Sequence, residues 1–263
     1  MNAMTAFPVY LVGAGPGDPE LMTVKAVRLL QEADAVIYDR LISPDVMKLV
    51  PAGAMRIYVG KANHQHTMSQ DEINALLARL ARTGRRVVRL KGGDPFIFGR
   101  GSEEVDYLAS RGITCEIVPG VTAAAGCAAA AGIPLTHRGL ATGVRFVTGH
   151  CREDSDLDLN WESLADPDTT LVAYMALANL PQISRELIAA GLSPSTPAAA
   201  IASGTLPNQK LCRATLADLP ARVIAAGLKP PVLTVIGRVV ALADVMGIEA
   251  DDPLPAARWA GHG

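Results

Sequence analysis

The chain has 263 residues, of which 49% are hydrophobic, and a formal net charge of -2. That length suits one large or two medium domains with a substantial core, and a charge so near zero excludes a global field drawing the chain to nucleic acid or membrane. A polyanionic ligand must then be met by individual arginines. The four cysteines, Cys115, Cys127, Cys151 and Cys212, are widely spaced, with no CxxC pair and no Cys/His cluster of the zinc kind. They read as reduced thiols, and no metal site is expected. The opening Met-Asn-Ala-Met-Thr-Ala has no basic region or signal-like apolar core, and glycines interrupt the alanine-rich run from Val121 to Leu135. A cytoplasmic chain is therefore expected.

Along the first half, apolar strand-like runs at 9–12, 35–38, 56–59, 86–90 and 115–118 alternate with helix-period segments at 21–31, 44–50, 70–82, 102–110 and 122–131. Such alternation predicts a parallel sheet covered by helices. After the segment from Pro134 to Gly143 the pattern restarts, with strands expected at 144–148, 170–175, 197–202, 209–215 and 232–236 and helices at 180–190, 216–226 and 239–246. The short loop between 197–202 and 209–215 predicts a hairpin and a mixed sheet. The expected fold class is α/β, with a mostly parallel N-terminal domain over 7–140, a mixed C-terminal domain over 141–248 and a frayed tail over 249–263.

Gly13-Ala-Gly-Pro-Gly17 follows the first strand and precedes a helix, which invites a dinucleotide reading with Asp39 as the ribose acid. The fingerprint fails, because Asp18 stands at its sixth position and Pro16 removes a backbone N–H where pyrophosphate needs donors. The richest segment runs from Val88 to Glu104. Gly92 and Gly93 permit a sharp turn and close approach to a ligand, and Pro95 limits the exit direction. Asp94, Arg100, Glu103 and Glu104 then surround an apolar Phe96-Ile97-Phe98 insert. This is the composition of a ligand loop that also starts a helix, with Ser102 as the expected N-cap and Glu103/Glu104 complementing the dipole.

Gly13-Ala-Gly-Pro-Gly-Asp-Pro-Glu-Leu-Met-Thr23, Tyr38-Asp-Arg-Leu41, Val59-Gly-Lys61, Val88–Glu104, Pro119-Gly-Val-Thr-Ala-Ala124 and Gly132-Ile-Pro-Leu-Thr-His-Arg138 together resemble the S-adenosyl-L-methionine-dependent tetrapyrrole methylases, over residues 9 to 245. The combination resembles the early member that acts on uroporphyrinogen-III. The resemblance implies C-methylation of that substrate at two ring carbons to give precorrin-2, in a homodimer whose active site lies in an inter-domain cleft. A later corrin-ring methylase and a non-catalytic tetrapyrrole-binding protein are the alternatives. Neither nucleic acid nor membrane is an expected partner.

The resemblance also implies site residues. S-adenosylmethionine is expected to touch Pro16, Gly92, Gly93, Asp94, Ile97, Thr122, Ala123, Met175, Gly204 and Val232. Asp39 and Lys61 match the family's proton acceptor and donor, with Arg100 a rival for the base. On the residues alone, Asp39 can also be read as a strand-end acid paired with Arg40 and Lys61 as a solvated lysine, while Met175 reads more often as a core filler. The high pKa of arginine favours carboxylate binding for Arg100. Arg40, Arg100 and Arg138 are the expected receptors for substrate carboxylates, with Glu103 a substrate-binding residue that either orients Arg100 or accepts from pyrrole N–H groups. His137 and His150 read as structural, and His64 and His66 as members of a polar loop.

Overall fold

The computed structural model describes residues 7–60, 68–150 and 157–245. The chain divides into two compact units, Met1–Ala123 and Ala124–Gly263. In the first, β1 (Val9–Gly13), β2 (Ala35–Tyr38), β3 (Met55–Tyr58), β4 (Val87–Lys91) and β5 (Cys115–Val118) form a five-stranded sheet in the order β3-β2-β4-β1-β5. Every pairing is parallel. Parallel strands need helical crossovers, which cover both faces, so the central strands read as continuous apolar runs. On one face Val12, Val36, Val88 and Leu90 pack with Leu29 and Leu30 of α1 (Val24–Gln31) and Val46 of α2 (Pro44–Met47). On the other, Val9, Leu11, Ile37 and Val87 meet Leu77 and Leu80 of α3 (Gln70–Ala81) and Leu108 of α4 (Gly101–Ala109).

Helix starts follow local capping chemistry. Thr23 accepts from the Ala26 N–H, so α1 begins at Val24, and the expected helix start at 21 is instead the end of a short 3-10 turn, Pro19–Leu21. Ser69 and Glu72 form a reciprocal capping box on α3. The expected Ser102 cap on α4 is not what forms. Arg100 takes the N-cap position in a left-handed conformation, φ 57°, with no side-chain cap bond. The cause is the tight loop before it, where the Gly101 N–H donates to the Pro95 carbonyl and a Cβ on Gly101 would lie 2.5 Å from that oxygen.

The second unit starts inside α5 (Ala123–Ala130), at Ala124, and holds a mixed sheet of β6 (Gly143–Thr148), β7 (Thr169–Tyr174), β8 (Pro197–Ala202), β9 (Lys210–Thr215) and β10 (Val232–Ile236), in the order β6-β7-β10-β8-β9. Only β6–β7 is parallel, and β8–β9 is the expected antiparallel pair with Ala200 opposite Cys212. Small residues on β8 let α7 (Leu180–Ala189) and α8 (Leu219–Ala225) approach, and Leu180, Ile183, Leu187, Leu219 and Val223 close the core. The single-turn α6 (Trp161–Leu164) is too short to show a period in sequence. The segment expected as a helix over 239–246 is a 3-10 helix, Arg238–Asp244.

By compactness the chain divides after Ala123, ahead of the 140/141 boundary drawn from the strand pattern. The intervening residues bond to the second unit: Ala124 N–H donates to the Tyr174 hydroxyl, Gln209 Nε2 to the Ala130 carbonyl and Arg238 Nη2 to the Leu140 carbonyl. Among the described residues, no helix is long and apolar enough to cross a membrane.

Candidate active site

In the first unit, the chain leaving β1 crosses toward β2 over the face packed by α1, whereas the chain leaving β4 crosses toward β5 over the face packed by α4. Loops that diverge from adjacent parallel strands open a crevice at their carboxyl ends, the usual ligand position in such sheets. The two loops at this crevice are joined through glycine. Gly93 N–H donates to the Gly15 carbonyl at 2.7 Å, and Gly15 N–H returns a bond to Gly93 at 3.2 Å. Both glycines have left-handed φ, +72° at Gly15 and +67° at Gly93, which costs other residues strain.

Gly13 and Gly120 complete the junction. A Cβ on Gly13 would lie 2.6 Å from the Gly120 nitrogen, and one on Gly120 would lie 2.2 Å from the Gly93 carbonyl oxygen. Backbone thus fills the space where side chains would stand, and the exits of β1, β4 and β5 are held together. Asp94 adds a second tie, accepting from Phe96 N–H at 2.8 Å through Oδ1 and from Gly120 N–H at 3.1 Å through Oδ2. Its carboxylate is therefore occupied in shaping the loop. Around this floor Thr122 and Ala123 lie close to Gly93, Pro16 and Ile97 are half-buried, and Phe96 and Phe98 are exposed.

Asp39 follows β2. Its Oδ1 accepts from Leu41 N–H at 3.0 Å and its Oδ2 from Arg89 Nη2 at 3.2 Å. The ion-pair partner is therefore Arg89, where the sequence offered Arg40 next door, because Arg89 lies on the neighbouring strand opposite Ile37 and on the same sheet face. Arg40 is exposed. Lys61 lies outside the described residues, as do His64 and His66.

Behind Asp39 sits a cluster that sequence reasoning missed. Arg89, Lys91 and Glu104 are 4%, 4% and 0% exposed. Glu104 Oε1 accepts from Arg89 Nε at 3.2 Å, Lys91 Nζ at 3.0 Å and Gln70 Nε2 at 3.2 Å. Arg89 Nη1 donates to the carbonyls of Ile37 and Leu90. Burial lowers the Lys91 pKa below its usual value, with Arg89 pushing the same way and Glu104 opposing both. The signal in the sequence is the pattern Val-Val-Arg-Leu-Lys on a central strand, which puts two cations on one buried face and requires an anion there.

Arg100 makes a bidentate pair with Glu103, Nε to Oε1 at 2.8 Å and Nη2 to Oε2 at 2.6 Å. That hydrogen bond raises the Arg100 pKa and lowers that of Glu103. Glu103 thus holds the Arg100 fork, and both side chains face solvent.

In the second unit Met175 follows β7 with φ 52° and is half exposed, so it is not a core filler. Gly204 is buried, and a Cβ there would lie 2.3 Å from Cys127 Sγ. Val232 opens β10 with its side chain in the core. Arg138 is exposed on the tight turn bridged by His137 and Ala141.

The profile of the tetrapyrrole (corrin/porphyrin) methylases matches residues 8–220. The chain belongs to the tetrapyrrole methylase family. It is 56% identical over 236 residues to a siroheme synthase of Azotobacter vinelandii, covering 90% of this chain and 51% of that protein. A Hahella chejuensis siroheme synthase is 55% identical over the same length, with 50% of it covered. This tetrapyrrole methylase thus spans about half the length of the curated relatives it matches.

Its fold is that of solved methylases. A uroporphyrin-III C-methyl transferase of Thermus thermophilus is 41% identical with a TM-score of 0.76, covering 90% of this chain and 94% of that one. The same enzyme complexed with S-adenyl homocysteine is 42% identical with a TM-score of 0.75, covering 89% and 99%. A cobalt precorrin-4 methyltransferase superimposes with a TM-score of 0.81 at 31% identity, covering 91% and 98%. The α/β fold expected from sequence, with a parallel and a mixed sheet, is the one observed.

Proposed function

We propose that this tetrapyrrole methylase C-methylates uroporphyrinogen-III to precorrin-2 with S-adenosylmethionine as donor. The observation that carries the reading is the glycine junction at the exits of β1, β4 and β5, in a chain 42% identical to a C-methyl transferase complexed with S-adenyl homocysteine. The residues fit such a ligand. It carries no phosphate, and the loop after β1 offers Pro16, which has no N–H, where a dinucleotide needs donors. Left-handed Gly15 and Gly93 leave backbone unshielded, and apolar Ile97 and Phe96 flank it.

When bound, S-adenosylmethionine supplies an electrophilic methyl group on its sulfonium. Gly92, Gly93, Thr122 and Ala123 bind it through backbone and shape, while Asp94 holds the loop that presents them. Met175, Gly204 and Val232 keep the cofactor roles implied by the resemblance, Val232 through its backbone because its side chain is in the core. The attacking pyrrole carbon would take the methyl as the methyl–sulfur bond breaks and S-adenosylhomocysteine leaves, and the ring would then lose a proton. Asp39 takes that proton, with Lys61 as donor on the family pattern. Arg40, Arg100 and Arg138 bind the substrate carboxylates, and Glu103 presents the Arg100 fork until a carboxylate replaces it. A homodimer working in the cytoplasm, without nucleic acid or membrane, completes the proposal.

A later precorrin methylase is the second reading, favoured by the TM-score of 0.81 to the cobalt precorrin-4 methyltransferase. Higher identity to the uroporphyrin-III enzyme places it second. Incubation of purified protein with S-adenosylmethionine and either uroporphyrinogen-III or a precorrin-4 substrate decides between them. Methylation of the precorrin alone overturns the proposal.

A further inference from the structure

The carboxylate of Asp39 is tied to three buried charges that no part of the proposed chemistry uses. Arg89 is the link. Its Nη2 holds Asp39 Oδ2 at 3.2 Å, its Nε holds Glu104 Oε1 at 3.2 Å, and its Nη1 is anchored on the Ile37 and Leu90 carbonyls. A planar guanidinium with donors on all three nitrogens engaged cannot rotate without breaking several bonds. Glu104, fully buried at the first turn of α4, in turn receives Lys91 and Gln70. Formal charges of Arg89 and Lys91 balance those of Asp39 and Glu104, the condition under which such a group survives burial.

We propose that Arg89 and Glu104 are positioning residues that fix the Asp39 carboxylate for proton transfer, with Lys91 completing the charge balance. The inference rests on the reading of Asp39 as proton acceptor. Both Asp39 oxygens are held, Oδ2 from inside by the buried Arg89 and Oδ1 by the Leu41 N–H at the surface, while the side chain remains 25% exposed for a substrate proton. A base on a free rotamer loses rate through misorientation, and this frame removes that freedom.

Glu104 also offers a clean test. Its Oε2 is buried with no hydrogen-bond partner among the described residues. In Glu104→Gln the amide nitrogen can take that position, leaving Oε1 to receive its donors, so the charge is removed with little change of shape. Arg89→Lys keeps the charge and loses the fork. The experiment records the 13C-carboxyl resonance of Asp39, assigned by its loss in Asp39→Asn, and steady-state kinetics with uroporphyrinogen-III and S-adenosylmethionine. Both variants should displace the Asp39 resonance. Each should lower kcat by about tenfold or more, inside the ~10²-fold that misplacement of a reacting group costs, with the KM for S-adenosylmethionine unchanged.

A folded Glu104→Gln protein with an unmoved Asp39 resonance and wild-type kcat overturns the proposal, and it decides alone if Arg89→Lys does not fold. An Asp39→Asn protein with full turnover instead overturns Asp39 as acceptor and the catalytic part of this inference with it. The resonance measurement needs no turnover, so the two failures are distinguishable.

Discussion

Gly15 and Gly93 bond to each other's backbone in both directions, joining the exit of β1 to the exit of β4. Two loops that leave a parallel sheet over opposite faces would otherwise move independently. Pairing them makes the crevice floor a rigid backbone surface, the property a donor held for in-line methyl transfer requires.

Gly93→Val should weaken S-adenosylmethionine binding strongly while the protein stays folded. A Cβ at this position meets only ordinary contacts, 3.6 Å to Ala123 N and 3.9 Å to the Thr122 Cα, so the fold tolerates the volume. The left-handed φ costs a β-branched residue about 1–3 kcal/mol. Gly120→Ala should behave differently, failing to fold, because its Cβ would sit 2.2 Å from the Gly93 oxygen. Calorimetric titration and thermal melts separate the cases, and unchanged affinity in folded Gly93→Val would remove this loop from the donor site.

Asp39→Asn should lower turnover by about 10²-fold or more, the usual contribution of a positioned base, with little change in S-adenosylmethionine affinity. The amide can still accept from Leu41 N–H, so the loop after β2 keeps its shape. Turnover near that of the unaltered protein would move the base elsewhere.

The strands and both sheet types were legible chiefly because strands such as β1, β2 and β10 are short, predominantly apolar runs bounded by Gly, Pro or charge. The core of β4 was legible for the same reason, but its charges were not. Arg89 and Lys91 alternate with Val88 and Leu90, yet their anions come from the residue after β2 and from α4, and a local pattern carries no information on which distant acid answers a buried cation. Glu104 shows the limit most plainly. By position it reads as an exposed acid complementing a helix dipole, and only packing of α4 against α3 and the sheet reveals it as fully buried. The Ser102 cap was misplaced for a related reason. The propensity of serine for N-caps was outweighed by a Pro95–Gly101 turn that puts the cap two residues earlier, at Arg100.

Arg100→Lys should raise the KM for uroporphyrinogen-III by about tenfold, since a charge-assisted bidentate contact is worth ~1.5–3 kcal/mol, and leave S-adenosylmethionine binding alone. Exposed pairs such as Arg100–Glu103 are worth only ~0–1 kcal/mol, so a substrate carboxylate displaces Glu103 at small cost. The porphyrinogen KM of the unaltered protein should rise with salt. Steady-state assays at several ionic strengths check both points. Loss of S-adenosylmethionine binding with porphyrinogen KM intact would reverse the assignment.

Cys127 should make the second unit sensitive to alkali. Burial raises its thiol pKa from 9.0 to about 11. Below the unfolded value of 9.0 both states keep the proton, and the full stabilisation of the neutral thiol is present. As pH rises toward 11 the unfolded chain ionises first and binds fewer protons, so stability falls. The loss between ~pH 8 and ~pH 10.5 amounts to about 2 kcal/mol at 1.36 kcal/mol per pKa unit. Lys91 acts in the opposite sense, because its folded pKa is lowered and the penalty for burying its charge is relieved as pH rises toward 10.5. The comparison with Cys127→Ala cancels Lys91 and leaves the thiol. Urea unfolding of both proteins across this range should show the gap between them narrowing as pH rises, the unaltered protein losing its advantage. Parallel curves would mean that the Cys127 thiol ionises no later in the folded chain than in the unfolded one.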